Sequence, residues 1–147
     1  MRFSEAMEME EQEVGRLLAH FDRSWWVVNG PNGGVIAALM VRAAQHCLTG
    51  DRCVRTITTH FVSAPKEGPV SIEVTVERQG KIAGFASLRM VQEDRLIATS
   101  LVAVAAVDQV PHQWEQRNFP KLPALEDCWM MKTTPPLVPL HSRWDRR

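Results

Sequence analysis

The sequence lacks an excess of charge of either sign, since its 17 basic residues match its 17 acidic ones. Such a balance gives no footprint for nucleic acid or for an anionic membrane surface, although a local cluster of basic residues would still hold a small anion. A long apolar run is also missing, because the longest, residues 35–41, is far short of the roughly 20 residues that a membrane helix needs. We therefore expect no nucleic-acid partner and no membrane span.

Cysteine is scarce as well, and none of the three cysteines is spaced as a CxxC pair or as part of a Cys/His ligand set. Buried thiols in a reducing compartment are the ordinary explanation. The acidic start of the chain, MRFSEAMEMEEQEV, has no apolar signal region, so we expect a cytoplasmic protein. The histidines show no ligand spacing, and neither a phosphate-binding glycine loop nor a G-x-S-x-G turn occurs. We expect no metal and no cofactor.

The first third of the chain predicts a short element, a strand and a long helix. Residues 4–20 carry apolar residues near helical spacing and predict a short amphipathic helix, and RSWWVV, residues 23–28, predicts a strand. Residues 33–48 predict a long helix, with Asn32 as its N-cap and Gly50 as its stop. This helix is apolar almost all round, which predicts burial on nearly every side.

Four strand-like runs follow, at residues 55–64, 70–78, 82–91 and 96–107. Loops of hairpin length with no helix between them indicate an antiparallel meander. The order of elements predicts an α+β fold, in which a curved five- or six-stranded antiparallel sheet wraps the long central helix. The pattern fails from residue 111, so residues 1–110 are expected to form the domain and the Pro- and Trp-rich residues 111–147 a C-terminal arm or linker.

Two segments resemble a known family. GPNGGVIAALMVRAA resembles the GGxxAALxxRA opening of the central helix in acyl-CoA thioesterases of the TesB-like group, which have the hotdog fold. HFVSAPKEGPVSIEVTVERQGKIAGFASLRMVQEDRLIATSLVAV is similar to that group's following strands: a Pro-rich loop, a GPV strand start, an R-x-G-[KR] turn and a Gln before the last strand occur in the same order. The resemblance extends over residues 25–107 and implies a single hotdog domain that acts on acyl-CoA.

The resemblance also raises the question of a partner. Members of that group usually carry two hotdog domains in one chain, about twice this length, and this chain resembles the first of them. Either a second copy supplies the partner, which gives a homodimer, or the chain is a truncated product. We favour the homodimer, because pairing between two copies would join their sheets and cover exposed edges.

The residues ahead of the helix suggest how a thioester would be held. The first turn of a helix leaves backbone N–H groups unpaired and carries partial positive charge, and such groups stabilise a carbonyl oxygen under attack. Gly33 and Gly34 have no Cβ, so an acyl group can come close. The resemblance implies that their N–H groups polarise the carbonyl, while Asn32 caps the helix and orients water. An ordinary turn and cap, with glycine needed only for close packing, is the alternative.

The general base is not evident. Hydrolysis needs a group that activates water, and residues 33–48 contain no carboxylate. The resemblance implies that the catalytic Asp of two-domain relatives lies in the half that this chain lacks. Gln45 is the candidate that would reach a water across a dimer interface, whereas Asp22 and Asp51, the nearest acids in sequence, are expected on the surface.

Four further residues are candidates for substrate contact. Asn29 would orient water, and Trp26 would border an acyl pocket unless it packs in the core. Arg78 and Lys81 would meet the phosphates of coenzyme A unless they are simply solvated charges. The leading hypothesis is an acyl-CoA thioesterase. A non-catalytic acyl or acyl-CoA binding protein that lacks its base, and a structural half that works only with a partner chain, are the two alternatives.

Overall fold

The computed structural model describes residues 2–106, 120–129 and 138–143 of the chain. The first elements are helix α1 (Phe3–Ala6), strands β1 (Glu10–Glu13) and β2 (Arg16–Phe21), the 3₁₀ turn Arg23–Trp25 and the long helix α2 (Gly33–Cys47). Strands β3 (Arg52–Phe61), β4 (Gly68–Gln79), β5 (Ala83–Gln92) and β6 (Arg95–Ala106) follow. Two more 3₁₀ turns are Leu125–Asp127 and Pro139–Arg143.

The six strands form one antiparallel sheet in the order β1-β2-β4-β5-β6-β3, which confirms the predicted α+β class and strand number. Strands β4, β5 and β6 are neighbours in chain order, as in a meander. The meander prediction is wrong for β3, which pairs with β6 at the far edge instead of with β4. The loop after β3 begins attached to β6, because the N–H groups of Val62 and Ser63 both donate to the carbonyl of Ile97.

The helix predicted over residues 4–20 is wrong beyond its first turn. Leu17, Ala19 and Phe21 are buried while their neighbours are more exposed, so the apolar period is two and the segment is strand β2. Gly15, at φ +79°, supplies the turn between β1 and β2, and Val14 beside it is 99% exposed. Val14, which the sequence placed on the apolar face of a helix, therefore lies in a solvent-exposed turn.

The strand predicted over residues 23–28 is also wrong. The Asp22 carboxylate accepts a hydrogen bond of 2.9 Å from the Ser24 N–H and caps the 3₁₀ turn Arg23–Trp25. Trp25 and Trp26 are both buried, which the alternation of a strand on one sheet face would not allow. Local capping by an aspartate thus overrides the aromatic and β-branched propensity of the segment.

Helix α2 begins and ends within one residue of its predicted bounds, and it packs against β3, β4, β5 and β6. Its buried residues form one face: Val35, Ile36, Leu39, Met40, Ala43 and Ala44. On the other side Ala37, Ala38 and Val41 are only half-buried. The prediction of burial on nearly every side therefore does not hold for one chain by itself.

Part of the C-terminal region lies against the domain. Leu140 is buried within the hydrophobic core, and its N–H donates to the carbonyl of Trp26 at 3.1 Å. The turn Leu125–Asp127, in contrast, contains no buried residue. The division at residue 110 stays a prediction, and most of the predicted arm lies outside the described residues. Within the described residues, no helix combines the length and apolar character needed to cross a membrane.

Candidate functional site

A pocket of about 380 Å³ opens at the N-terminal end of α2. It is lined by Asn29, Gly30, Pro31, Gly33, Ile36, Phe61, Val62, Ser63, Ala64 and Pro65. The turn before the helix forms one wall, and the end of β3 with the loop that follows it forms the other. None of these lining residues carries a charged side chain. The volume lies within the range of small-molecule sites, and the mixture of apolar walls with a few polar groups is typical of them.

Backbone hydrogen bonds fix the turn that forms the first wall. The Val27 N–H donates to the Gly30 carbonyl, and the Asn32 N–H donates to the Trp25 carbonyl, both at 2.9 Å. Trp26 supports this turn from below: it is 3% exposed, and it pairs in an isolated bridge with Pro31. The structure therefore places Trp26 in the core beneath the turn and outside the pocket lining, while Asn29 lies on the lining.

The predicted N-cap is confirmed, because the Asn32 Oδ1 accepts a hydrogen bond of 2.8 Å from the Gly34 N–H. The Asn32 carbonyl also accepts from the Val35 N–H at 2.9 Å. The N–H groups of Gly34 and Val35 are thus already engaged within the helix start. Within the described part of the chain, the Gly33 N–H has no hydrogen-bond partner, and Gly33 lies on the pocket lining.

Both glycines sit where a side chain would collide with a neighbour. A Cβ on Gly33 would lie 3.1 Å from Cζ of Phe61, and a Cβ on Gly34 would lie 2.8 Å from Oδ1 of Asn32. Close packing therefore accounts for part of the need for glycine at both positions. The two positions differ in what they approach, because Gly33 faces the pocket wall and Gly34 faces the capping side chain.

The remaining predicted site residue on α2, Gln45, lies elsewhere. It borders a second pocket, of about 330 Å³, together with Met7, Met9, Leu17, Arg42 and His46. Twelve residues separate Gln45 from Gly33, which is about 18 Å along a helix. Within one chain the structure does not bring Gln45 to the N-terminal end of α2.

Arg78 and Lys81 lie on the β4–β5 hairpin, where they line a third pocket, of about 380 Å³, with Gly80, Ile82, Ala83 and Phe85. This hairpin adjoins the C-terminal end of α2, because the Gln79 amide donates to the Thr49 hydroxyl just beyond the helix. The Arg52 guanidinium, at the start of β3, donates to the Gly80 carbonyl. The two cations are therefore at the opposite end of the helix from Asn32 and Gly33.

Sequence reasoning missed the second wall of the first pocket, residues 61–65. Their signal was the Pro-rich loop APKEGP, but its position depends on β3 crossing to the far edge of the sheet. Two pKa shifts lie outside this pocket. Burial, followed by the nearby Glu11 carboxylate, raises the pKa of the Cys47 thiol, and the hydrogen bond from Lys66 lowers the pKa of Glu93.

Among residues 2–106, 120–129 and 138–143, no three His, Cys, Asp or Glu side chains lie close enough together to hold a metal ion.

Residues 22–108 match the family model of the acyl-CoA thioesterase N-terminal domain. No curated protein matches the chain. Among solved structures, a hot dog fold protein of unknown function from Alicyclobacillus acidocaldarius is similar with a TM-score of 0.81, at 22% identity over 95% of this chain and 52% of its own. A proposed thioesterase II from Thermobifida fusca YX gives 0.74, at 24% identity over 90% and 49%. The acyl-CoA thioesterase II TesB2 of Mycobacterium marinum gives 0.69, at 17% identity over 85% and 46%.

This chain therefore spans about half the length of each of these three solved structures. The structural likeness confirms the predicted hotdog fold. The matched residues include α2, its capping turn and the strands β3 to β6, which are the segments whose sequence resembles the TesB-like group. On these residues, the chain belongs to the family of acyl-CoA thioesterase N-terminal domains.

Proposed function

We propose that the protein is an acyl-CoA thioesterase that holds the thioester carbonyl at the N-terminal end of α2. The observation that carries this proposal is the uncharged pocket at that end, which joins a polar turn to an apolar wall. The carbonyl oxygen gains negative charge when water attacks, and a backbone N–H directed at it lowers the barrier. The Gly33 N–H is the donor that we assign, because the Gly34 N–H is already bonded to Asn32.

The other polar groups of the pocket support this arrangement. Asn32 acts indirectly, by capping the helix and keeping its first turn in place. Asn29, on the pocket lining, is positioned to orient water or the thioester by hydrogen bonding. The acyl chain would then lie along the apolar wall formed by Ile36, Phe61 and Val62, of which the last two are more than half exposed at the mouth.

A second copy would complete the site through the free edge of β3. Among the residues that the structure describes, two strands of the sheet have a single neighbour, β1 and β3. Strand β1 has four residues, three of them glutamates, and charge of one sign protects an edge from pairing, whereas β3 has ten residues. Ala37 and Val41 on α2, which are only partly buried, offer further apolar surface to a partner. We propose a homodimer joined through β3.

Two-fold symmetry then explains how the scattered residues meet. Phe61, at one end of β3, lines the pocket, while Arg52, at the other end, bonds to the β4–β5 hairpin. Antiparallel pairing of β3 with its copy brings the start of one strand toward the end of the other. The partner's Arg78 and Lys81 would thereby approach this pocket and meet the phosphates of coenzyme A.

The water-activating group must also come from outside the lining, because no lining residue of the pocket has a carboxylate. Gln45 borders the β1–β2 side of its own domain, with Met7, Met9 and Leu17, so pairing through β3 leaves the partner's Gln45 away from this pocket. We therefore expect slow turnover by the homodimer and faster turnover if a second hotdog domain supplies an acid.

The same uncharged lining favours one second candidate, a hotdog protein that binds acyl-CoA without cleaving it. A panel of acyl-CoA substrates separates the two, with free coenzyme A followed by chromatography because three free cysteines would react with a thiol dye. Release of coenzyme A above the rate without protein supports the thioesterase. Binding by calorimetry with no release across the panel would establish the binding protein instead. The cytoplasmic location stays a prediction.

The homodimer has its own test. Light scattering over a range of concentrations should give twice the mass of one chain. A monomer at every concentration would contradict pairing through β3. It would leave the third hypothesis, a half that works only with a partner chain.

A further inference from the structure

One buried polar residue lies next to the pocket without lining it. Gln92 is the last residue of β5, and it is 7% exposed. It continues the buried row formed by Ala86, Leu88 and Met90 on the face of the sheet that carries α2. An apolar side chain would fit this row, so the amide calls for an explanation.

The amide of Gln92 uses its full complement of donors. Its Oε1 accepts a hydrogen bond of 2.7 Å from the Lys66 N–H. Its Nε2 donates to the Lys66 carbonyl and to the Pro69 carbonyl, both at 3.0 Å. One acceptor and two donors match two backbone groups of the loop and one at the start of β4, and only an amide provides that set at this length.

These bonds hold the far end of the loop that forms the second wall of the pocket. Its near end is fixed to β6, through the backbone of Val62 and Ser63 and through the Ser63 hydroxyl, which donates to the Leu96 carbonyl at 2.5 Å. Beyond Ser63, two other side-chain contacts hold the loop, the Lys66–Glu93 ion pair and a long hydrogen bond of 3.4 Å that Glu67 Oε1 accepts from the Arg23 N–H. Both are exposed and therefore weak. Gln92 is the buried tether.

The position of that loop sets the width of the pocket. A Cβ placed on Gly30, in the first wall, would lie 3.8 Å from Cδ of Pro65 and 3.9 Å from Cβ of Ala64. The two walls therefore stand about one methyl group apart at this point. A small displacement of the loop at Lys66 would open the gap, because Pro65 is the residue directly before it.

We propose that Gln92 is a positioning residue, which sets the width of the acyl pocket by holding residues 64–66 against the turn before α2. The inference rests on the proposed function for the identity of the ligand, though not for the geometry. Gln92 makes no contact with the acyl group itself. It acts through the loop, so its loss should weaken retention of the substrate more than it slows the chemical step.

Two variants remove the hydrogen bonds in different ways. Gln92→Met keeps the length of the side chain and provides neither donor nor acceptor, while Gln92→Glu keeps the shape but places an anion against two carbonyls. Glu93→Gln is the matched control, since it breaks the exposed tether to the same lysine. Gln12→Glu adds a carboxylate on β1, in an exposed position at the opposite edge of the sheet from β3.

The measurements are KM and kcat for acyl-CoA of several chain lengths, together with amide hydrogen exchange by mass spectrometry. We expect both Gln92 variants to raise KM about tenfold for long acyl chains and to change kcat by less than about threefold. Exchange should become faster in residues 62–68 and stay unchanged in β5 and β6. Both controls should resemble the natural protein.

A merely structural role would appear differently. Uniformly faster amide exchange across the sheet, with unchanged KM in the folded fraction, would overturn the proposal. Unchanged amide exchange in residues 62–68 of the Gln92 variants would also overturn it. A larger loss in kcat than in KM would also overturn it. If the natural protein neither binds nor hydrolyses any acyl-CoA, the proposed function fails, whereas the exchange measurement still decides whether Gln92 holds the loop.

Discussion

The two ends of helix α2 carry opposite kinds of chemistry. At the N-terminal end, the pocket presents backbone groups, asparagine and apolar side chains, with no charged side chain on its lining. At the C-terminal end, Arg42 and His46 lie on the helix, and Arg78 and Lys81 lie on the neighbouring hairpin. We infer from this difference that a carbonyl bound at the N-terminal end would depend on the helix itself for positive potential.

The contrast also gives a structural reason for the basic residues at the C-terminal end of α2. The C-terminal end of a helix has partial negative charge, which basic side chains stabilise. His46 lies in the last turn of α2 and Arg42 one turn before it, so basic residues near this end have a structural reason and are not assigned to coenzyme A on charge alone. The N-terminal end has no such explanation for its open pocket, which is why we place the reactive carbonyl there. Changes at the two ends should therefore have unequal effects.

The largest effect is expected at Gly33. Gly33→Val would place a branched side chain against Phe61 and cover the N–H that we assign to the carbonyl. Thioester cleavage should fall by about 100-fold or more, the usual cost of losing such a donor. Kinetics with the preferred acyl-CoA, together with circular dichroism to verify folding, checks this.

Gly34→Val is the matched control for Gly33, because it displaces the Asn32 cap and leaves the lining in place. It should cost about 1 kcal/mol of the free energy of unfolding and reduce cleavage much less. If Gly34→Val reduced the rate of cleavage more than Gly33→Val, the Gly34 N–H would be the carbonyl donor instead.

The second effect is a change in acyl preference when the pocket width is altered. Gly30→Ala adds a methyl group between the turn and Pro65, and Ala64→Gly removes one from the facing wall. One methylene is worth about 0.8 kcal/mol, so the preference between neighbouring chain lengths should shift about fourfold, in opposite directions in the two variants. Competition between acyl-CoA pairs measures it. If both variants had the same preference among acyl chain lengths, the gap between Gly30 and Pro65 would be excluded as the acyl site.

The same contrast explains how much the sequence could predict. The N-terminal end of α2 is local: Asn32 caps the helix two residues before Gly34, and the glycines precede an apolar run, so helix and cap were both predicted correctly. The family resemblance added the fold. The pocket wall opposite the glycines could not be predicted, because it depends on the pairing of β3 with β6, some 40 residues further along the chain.

The N-terminal errors have a different origin. Leu17 fits a helical stripe and a strand equally well over so short a window, and only the turn at Gly15 decides between them. The burial of Leu17, Ala19 and Phe21 on one face is explained by the pairing of β2 with β4. At Trp25 and Trp26, the aspartate cap was the signal that would have predicted a turn. Gln92 was noted only as part of a pattern, because its partners, Lys66 in the loop and Pro69 in β4, lie 23 to 26 residues earlier.

A smaller effect is expected at the cationic hairpin. Arg78→Gln and Lys81→Gln should each raise KM for acyl-CoA about threefold at low salt, with less change at high salt, since exposed charges are screened. The cleavage rate at saturation should not change. Arg89→Gln, an exposed cation on β5, serves as the control. Free acyl-N-acetylcysteamine, which lacks the phosphates, should be insensitive to all three variants; sensitivity to that substrate would indicate a role other than phosphate binding.

The smallest effect concerns Cys47, at the C-terminal end of α2. Burial and the Glu11 carboxylate raise the pKa of this thiol above its usual 9.0 in the folded state. The folded protein therefore favours the protonated thiol. The resulting stability is complete below about pH 9 and is lost as the pH rises, because the unfolded thiol ionises first.

Alkylation of Cys47 by iodoacetamide at pH 8.5 should be slower than that of the exposed Cys53, and Glu11→Gln should narrow the difference between the two rates. Peptide mapping of a timed reaction measures both rates, and equal rates in the natural protein would show that the end of the helix gives this thiol no protection.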